Sequence, residues 1–457
     1  MGRLDIQIKL KRDFVSQYNK LQDEYGSYMA RLNGFASGQL SYTDFIDNFI
    51  DRDTVADASI DSNSNVSSKD IVTLEREMSK PHKKLLSFNK IYYEIQKKYG
   101  FYKANKWLRS EWIGFLYMHD ADSASLRHYC FAYSLKDVAE KGLYFLPGRK
   151  PCPAKHLITF VDFIKEFINY TSNRSSGAVG LPDLLPYMFY FWKKDVDNDY
   201  LGIKTSGNER YYADQAFQRF IYAVNQNFMR DSSQSAFTNT SVFDRPYFEA
   251  LFGGSEFPDG TFMIDYEEEI IEFQKWYMKV MSEIRSETMF TFPVSSISLL
   301  KKTDAKADDP VDDFFVDPEF AKWAVKHNMV WSDSNLFIDD SVTSLSNCCR
   351  LKSDISNLGY FNSIGGTALK VGSVKVGTIN LARIALESNT KEEYITLLKE
   401  YVWLDLMALD RVRHIIKRNV QKGLLPNFTH GLVDFEHLYN TIGFIGIYET
   451  MKNFGYT

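Results

Sequence analysis

The chain has 457 residues, 44% hydrophobic and 25% charged with 15% aromatic, a composition that excludes disordered and fibrous classes and suits one large α/β domain or two to three ordinary ones. Its formal net charge of −5 gives no overall electrostatic reason to bind a polyanion such as nucleic acid, although local sites for small charged ligands stay open. MGRLDIQIKLKRDF lacks an apolar run of signal-peptide length and no run of about 18 apolar residues occurs anywhere, so the reading is cytoplasmic, with no membrane span.

Along the chain, residues 1–50 read as amphipathic helix followed by a polar link, and 51–70 (DRDTVADASIDSNSNVSSKD) read as an acidic, Ser/Asn-rich boundary. Helical periodicity returns from 71 to about 118, with Gly100 as a candidate C-cap. Further helices are predicted over 156–173 and 266–284. The clearest helix spans 391–422: Thr390 and Glu393 have capping-box spacing, Tyr394, Leu397, Leu398, Tyr401 and Leu404 form an apolar face, and Gly423 follows the end. Strand-like pieces separate these helices at 290–300, at 329–333 (MVWSD) and at 371–381 (VGSVKVGTINL). In the last, alternation puts Val374, Val376, Thr378 and Asn380 on one face. Residues 303–313 form an acidic surface loop and glycine-rich 359–372 a turn between strands. Helices alternating with single strands predict an α/β architecture with a largely buried sheet.

Familiar site motifs are absent. There is no G-x-x-x-x-G-K-[ST], no G-x-G-x-x-G after a strand and no H-E-x-x-H, which argues against P-loop, Rossmann and zincin chemistry. Cys130, Cys152, Cys348 and Cys349 contain no C-x-x-C, which argues against a zinc site and against a disulfide scaffold and leaves packing or reactivity. Cys152, between two prolines, reads as a packed or idle thiol. Cys130 has His119, Asp120, Arg127 and His128 near it in sequence, and cationic neighbours lower a thiol pKa. Cys348 and Cys349 are adjacent, poorly placed to bond each other or to share a tetrahedral metal, and lie in a loop that ends in Arg350.

Six dispersed stretches in order, H-D…H-Y-C-F-A-Y-S-L around Cys130, S-S-Q-S-A-F-T-N-T-S-V-F-D (232–244), F-P-V-S-S-I (292–297), N-C-C-R (347–350), V-G-T-I-N-L-A-R-I-A (376–385) and I-G-F-I-G-I-Y-E (442–449), resemble the anaerobic ribonucleoside-triphosphate reductases, the class III ribonucleotide reductases. The resemblance implies a ten-stranded α/β barrel with a central finger loop over 56–457, preceded by a helical extension over 1–55. It implies reduction of ribonucleoside triphosphates to deoxyribonucleoside triphosphates by thiyl radical chemistry, since a radical at C3′ makes loss of the neighbouring hydroxyl accessible. By the same resemblance Cys349 is the hydrogen-abstracting thiol, with Cys348 as the alternative, Cys130 is the partner thiol across the ribose, and Asn380 bonds the ribose hydroxyls. Ser235, Thr238 and Asn239 are substrate-pocket residues, and Gly446 lets backbone amides approach a triphosphate.

The resemblance also implies nucleotide effectors (ATP and dNTPs), a homodimer, an activating enzyme that uses S-adenosylmethionine and a 4Fe-4S cluster, and formate or a thiol as reductant. The glycyl radical loop and four-cysteine zinc site of the family have no counterpart in the sequence, because Gly455-Tyr456 lacks the preceding arginine and the cysteines. The expectation is therefore a glycyl radical supplied in trans by a separate C-terminal fragment, with a truncated chain or a remnant without activity as the alternatives, and no cofactor or metal bound by this chain. Residues 1–55 do not read as an ATP cone. The alternatives are another glycyl radical enzyme, formate-lyase-like, and a nucleotide-binding regulatory subunit without turnover.

Overall fold

The computed structural model of the chain describes residues 10–32, 46–47, 49–51, 71–148, 152–226, 229–230, 235–288, 290–342, 344–346, 352–354 and 371–456. Ten strands are formed among them: β1 (Leu116–Met118), β2 (Phe131–Ala132), β3 (Val179–Leu181), β4 (Thr238–Phe243), β5 (Val294–Leu300), β6 (Ser334–Asp339), β7 (Ser344–Ser346), β8 (Lys352–Asp354), β9 (Val371–Asn380) and β10 (Leu438–Ile445). Eight of these strands join one mixed sheet and the other two, β7 and β8, pair as an antiparallel hairpin. Strands β2 to β6 run parallel. β9 lies antiparallel to both β1 and β2, and β10 extends the sheet parallel to β9.

The helices follow from their buried periodicity. The first, α1 (Arg12–Leu32), sets Phe14, Tyr18 and Leu21 against α2 (Ile71–Tyr99) and α3 (Phe101–Trp112), with Tyr18 edge-on to Trp112 at 4.6 Å. Gly100, at φ 89°, ends α2 at the expected C-cap position and separates it from α3; the positive φ is open to glycine at little cost. The crossovers are α4 (Leu157–Ser172), α5 (Leu184–Asp197), α6 (Glu209–Val224), α7 (Glu267–Glu287) and α8 (Pro318–Trp331). Glu267, Glu268 and Glu269 occupy the first turn of α7, where negative charge opposes the positive end of the helix dipole. The last long helix, α9 (Lys391–Gln421), starts at Thr390, whose Oγ1 accepts from the Glu393 amide at 3.1 Å. The Glu393 carboxylate reaches one residue beyond the expected capping box, to the Asn389 amide at 2.8 Å.

Three elements differ from the sequence reading. Residues 329–331 finish α8, and the strand begins only at Ser334. Pro318 in the first turn, the Asp317 cap on the Phe320 amide, and burial of Phe320, Ala321, Ala324 and His327 set a helical period that leaves Met329 and Val330 exposed. In β9 the register to β10 shifts between Tyr439 and Asn440, so that Ser373 pairs Tyr439 and Lys375 pairs Asn440. That bulge at Val374 breaks the expected row: Val374 joins the main apolar core, and Val376, Thr378 and Asn380 share the other face. The expected loop at 303–313 also ends in a short helix, Val311–Phe314.

Behind β9 the fit is tight. A Cβ added at Gly377 would lie 2.1 Å from Oδ1 of Asp405 on α9. Asp405 is fully buried with neither carboxylate oxygen hydrogen-bonded among the described residues, and desolvation, then the Glu111 charge, hold its carboxyl well above the usual range. Glu111 is pushed up to about 7 by burial, against the opposing pull of Lys84 and the Met118 amide. Gly377→Ala is expected to cost about 1–3 kcal/mol by overpacking, read by urea unfolding, with Gly377→Ala/Asp405→Ala recovering most of the loss. Because the folded pKa of Glu111 is raised, its contribution to stability is full below its ordinary 4.5 and is lost as pH rises through about 7. Urea midpoints measured across that range should fall less steeply in Glu111→Gln than in the parent.

Candidate active site

The sheet has one helix-covered face and one interior face, and hydrogen bonds tell them apart. Ser295 Oγ donates to the Met281 sulfur of α7 at 3.5 Å, so Ser295 looks toward the helices and Ser296 away from them. Register across the parallel strands then carries Gly180, Asn239, Ser241, Ser296 and Asn335 onto the interior. The result is a row of small polar side chains in place of an apolar layer. Asn239 Nδ2 donates to the Val294 carbonyl at 2.8 Å and to Ser296 Oγ at 3.2 Å, while its Oδ1 is buried without a hydrogen-bond partner among the described residues.

Cys130 enters this face from β2. Phe131 and Tyr133 stack edge to face and pack toward Phe167 of α4, which turns Cys130 to the opposite side. Its Sγ accepts from the Ala178 amide at 3.1 Å, and the thiol is 6% exposed. Together with Ala178 it forms a small cluster, apart from the main core, with Tyr129 and Phe237 against it. A side chain at Gly177 would bring Cβ to 2.3 Å from that sulfur, so the glycine makes room for the thiol.

From β1 and β9 the same face receives Tyr117, Thr378 and, at the strand end, Asn380, since Tyr117 pairs Thr378 directly. His119 Nε2 lies 2.8 Å from Thr378 Oγ1, with the ring edge-on to both Tyr117 and Tyr129. The sequence reading had His119 only as a neighbour of Cys130; its spacing from the thiol was visible, but its link to Thr378, 259 residues away, depends on the β1–β9 pairing.

The remaining expected positions are distributed differently. Asn380 Oδ1 accepts from the Arg383 amide at 3.1 Å, capping the short helix Leu381–Leu386 and fixing its own side chain at the rim of the interior. Ser235 is buried and donates to the Asn225 carbonyl at 3.0 Å, which ties down the segment before β4. Thr238 pairs Val179, a core residue, and alternation puts it on the helix-covered face, opposite Asn239. The interior therefore receives Asn239 of this pair. Gly446, at φ 80°, starts the helix Ile447–Asn453, and a Cβ there would meet the Ala382 Cβ at 2.7 Å. Cys348 and Cys349 lie outside the described residues, in the five-residue segment that joins Ser346 of β7 to Lys352 of β8. The glycine-rich stretch 359–370 also lies outside them.

The charge expected beside Cys130 does not come from His128. That imidazole is fully buried edge-on to Phe131 and Phe428, and burial, reinforced by the Arg127 charge, lowers its pKa to about 3 and keeps it neutral. Cys152, read as a packed or idle thiol, is exposed, which leaves the idle reading. Among the described residues no group of three or more His, Cys, Asp or Glu side chains is arranged to hold a metal ion, and no helix is long and apolar enough to cross a membrane.

Comparison with known proteins agrees with this architecture. A family model for anaerobic ribonucleoside-triphosphate reductase matches residues 77–457. The solved anaerobic ribonucleotide reductase from Thermotoga maritima in complex with dATP and CTP is 37% identical, with a TM-score of 0.82 over 98% of this chain and 69% of its own. The same enzyme with citrate in the active site gives 37% identity and a TM-score of 0.81, covering 98% of this chain and 75% of that one. A further structure described as anaerobic ribonucleotide reductase is 38% identical over 99% of this chain and 68% of its own, with a TM-score of 0.82. No curated protein matches the chain. Fold and comparisons together define an oxidoreductase that reduces ribonucleotides, built on a curled α/β half-barrel with a thiol on its interior face. The chain belongs to the anaerobic ribonucleoside-triphosphate reductase family.

Gly177→Ala tests the thiol's seat. The added methyl is expected to displace Cys130 Sγ from the Ala178 amide and to lower anaerobic turnover by roughly 100-fold, in line with the cost of an ångström-scale displacement on the site's interior face. The circular dichroism spectrum should stay that of the parent.

Proposed function

We propose that a ribonucleoside triphosphate binds over the interior face with its ribose between Cys130 and a second thiol, Cys349, carried by the segment between β7 and β8. Cys348 is the alternative to Cys349. The observation that carries this reading is the interior setting of the Cys130 sulfur, within a polar row that includes Asn239 and Asn380. The β7–β8 pairing supports it by bracketing the second pair of thiols with an antiparallel hairpin.

In the reaction the Cys349 thiyl takes the hydrogen atom from C3′. The C2′–O bond breaks and the oxygen leaves as water with the proton of Cys130. As water leaves, the 3′-hydroxyl gives up its proton and C3′ becomes a ketone with the radical at C2′. Formate, oxidised to carbon dioxide, or a thiol pair, oxidised to a disulfide, then supplies two electrons, which with protons form the C2′–H bond and restore the 3′-hydroxyl. Cys130 regains its proton from solvent, and Cys349 returns its hydrogen atom to C3′. The free amide oxygen of Asn239 and the rim position of Asn380 suit contacts to ribose hydroxyls, and His119 with Thr378 offers a donor and acceptor beside them. Ser235 and Thr238 support the pocket through the backbone, and Gly446 provides a close backbone turn near Asn380.

The radical comes from a glycyl segment acting on this site in trans, generated by an S-adenosylmethionine/4Fe-4S activating enzyme; the family resemblance supports the glycyl radical and the activating enzyme. The relative solved with dATP and CTP supports nucleotide substrates and effectors; ATP and dNTPs as the effectors, a homodimer and a cytoplasmic location belong to the same proposal and rest on the resemblance and the sequence.

Reconstitution tests the assignment: the chain, a glycyl radical fragment and an activating enzyme are combined without oxygen, and deoxyribonucleotide is measured. Cys349→Ala is expected to lose roughly a thousand-fold or more in product while nucleotide binding stays near the parent's, with Cys348→Ala close to parent. A fully active Cys349→Ala protein removes the thiyl assignment, and a dead Cys348→Ala beside it transfers the role to Cys348.

A further inference from the structure

The two outer strands of the sheet differ in character. β6 carries Asp339 at its end and lies between Asp333 and Asp340, and charge of this kind is how natural proteins guard an edge that faces water. β10 has no such guard. Among the described residues it pairs with β9 alone, and from Asn440 to Tyr448 the sequence N-T-I-G-F-I-G-I-Y holds neither a charge nor a proline. Phe444 and Ile445 at the end of the strand, and Ile447 and Tyr448 at the start of the helix Ile447–Asn453, are each more than half exposed.

Register fixes which way these side chains look. Ile445 pairs Asn380 and Gly443 pairs Thr378, so Ile445 stands on the interior face, at the rim that Asn380 marks. Phe444 pairs Ile379, a core residue, and belongs to the helix-covered face. Cover is short on both faces of one strand end as well as along its edge. An isolated exposed side chain is ordinary, but an eight-residue edge that ends in open apolar side chains on both faces is suited to pairing with another strand.

The edge also borders the candidate site. Neighbouring strands stand about 4.8 Å apart, so a strand added to β10 lies about 10 Å from β9, which carries Thr378 and Asn380. The proposed reaction needs a radical delivered to that site by a second polypeptide, with water excluded. This chain covers 69% of the Thermotoga maritima reductase solved with dATP and CTP, so close to a third of that enzyme has no counterpart here. A second copy of this chain, paired β10 to β10, would cover the edge but bring no glycyl segment.

We propose that β10 is the docking strand for the polypeptide that carries the glycyl segment: a strand of that partner pairs with its outer edge, continues the sheet and covers Phe444, Ile445, Ile447 and Tyr448. The inference rests on the reading that the radical is supplied in trans. Main-chain hydrogen bonds give the affinity and the apolar side chains the register. The partner strand is uncharged opposite Ile442–Ile445, because a charge buried there meets no counter-ion on β10.

The test uses binding alone, without nucleotide, activating enzyme or radical. The full-length chain is mixed with a glycyl radical fragment, association is measured by analytical ultracentrifugation, and amide exchange over 438–445 is followed by mass spectrometry. A complex is expected in which exchange over 438–445 slows roughly 10-fold or more. Phe444→Lys is expected to weaken the complex roughly 30-fold, the effect of losing an interface anchor. Ile338→Lys, at an exposed position on the β6 edge, should leave it unchanged. No complex, or a complex in which 438–445 exchanges as in the chain alone, overturns the proposal. Protection of 438–445 in the chain alone that vanishes on dilution also overturns it, since a second copy then holds the edge. Should Phe444→Lys not fold, the exchange measured on the parent decides. Turnover keeps the two readings apart: product formed while 438–445 stays unprotected removes the docking strand and spares the trans radical, whereas protection without product, once nucleotide and activating enzyme are added, does the reverse.

Discussion

The antiparallel seam between β9 and the β1–β2 segments is the constraint on which the site depends. It is held by ladder bonds, including those exchanged by Ser373 with Tyr129 and Cys130 and the bond from the His119 amide to the Val376 carbonyl. These bonds bring a thiol near residue 130 beside the T-I-N-L strand some 250 residues later, a closure whose chain entropy only a well-packed sheet offsets. The strands on either side are parallel among themselves, so the seam is also where the direction of the sheet reverses. The bulge at Val374 sits on this seam. It turns one valine into the core and keeps Val376, Thr378 and Asn380 facing the interior.

A second theme is the unequal treatment of polar groups on the two faces. On the interior, Asn239, Ser241, Ser296 and Asn335 form a wettable lining that an ordinary core would fill with apolar side chains. Behind the seam, Glu111, Asp405 and Lys375 are buried with few partners, and each shifts toward its neutral form. Such groups are retained at a cost in stability. Lys375 is anchored by the turn that leads to Cys130, its Nζ donating to the Asp120 carbonyl.

Much of this was legible in the amino-acid order because local rules and tertiary packing agree. Thr390 caps the helix it was read to cap, and the apolar spacing in 157–172 and 267–287 matches the faces those helices bury. The reading went astray where a longer-range term prevails. Met329–Trp331 look like a strand from their side chains, but Asp317 and Pro318 commit that stretch to a helix that is still running there. Val374 follows strict alternation on paper, and only the pairing with β10 reveals the extra residue. Thr238 and Asn239 are equally polar neighbours, yet register with Val179 assigns them to opposite faces. His128 reads as a cation near the thiol until its burial between phenylalanines is seen. In each case the missing information is register or burial, which a sequence carries only through partners far along the chain.

The account turns on the interior face being where the nucleotide's sugar meets the Cys130 sulfur. A crystal structure of the chain soaked with a ribonucleoside triphosphate tests this most directly. The account predicts density for the ribose over Asn239 and Asn380, with C2′ within van der Waals reach of the Cys130 sulfur and the β7–β8 segment on the opposite side of the sugar. A nucleotide bound on the helix-covered face, or a ribose out of reach of that sulfur, would contradict it.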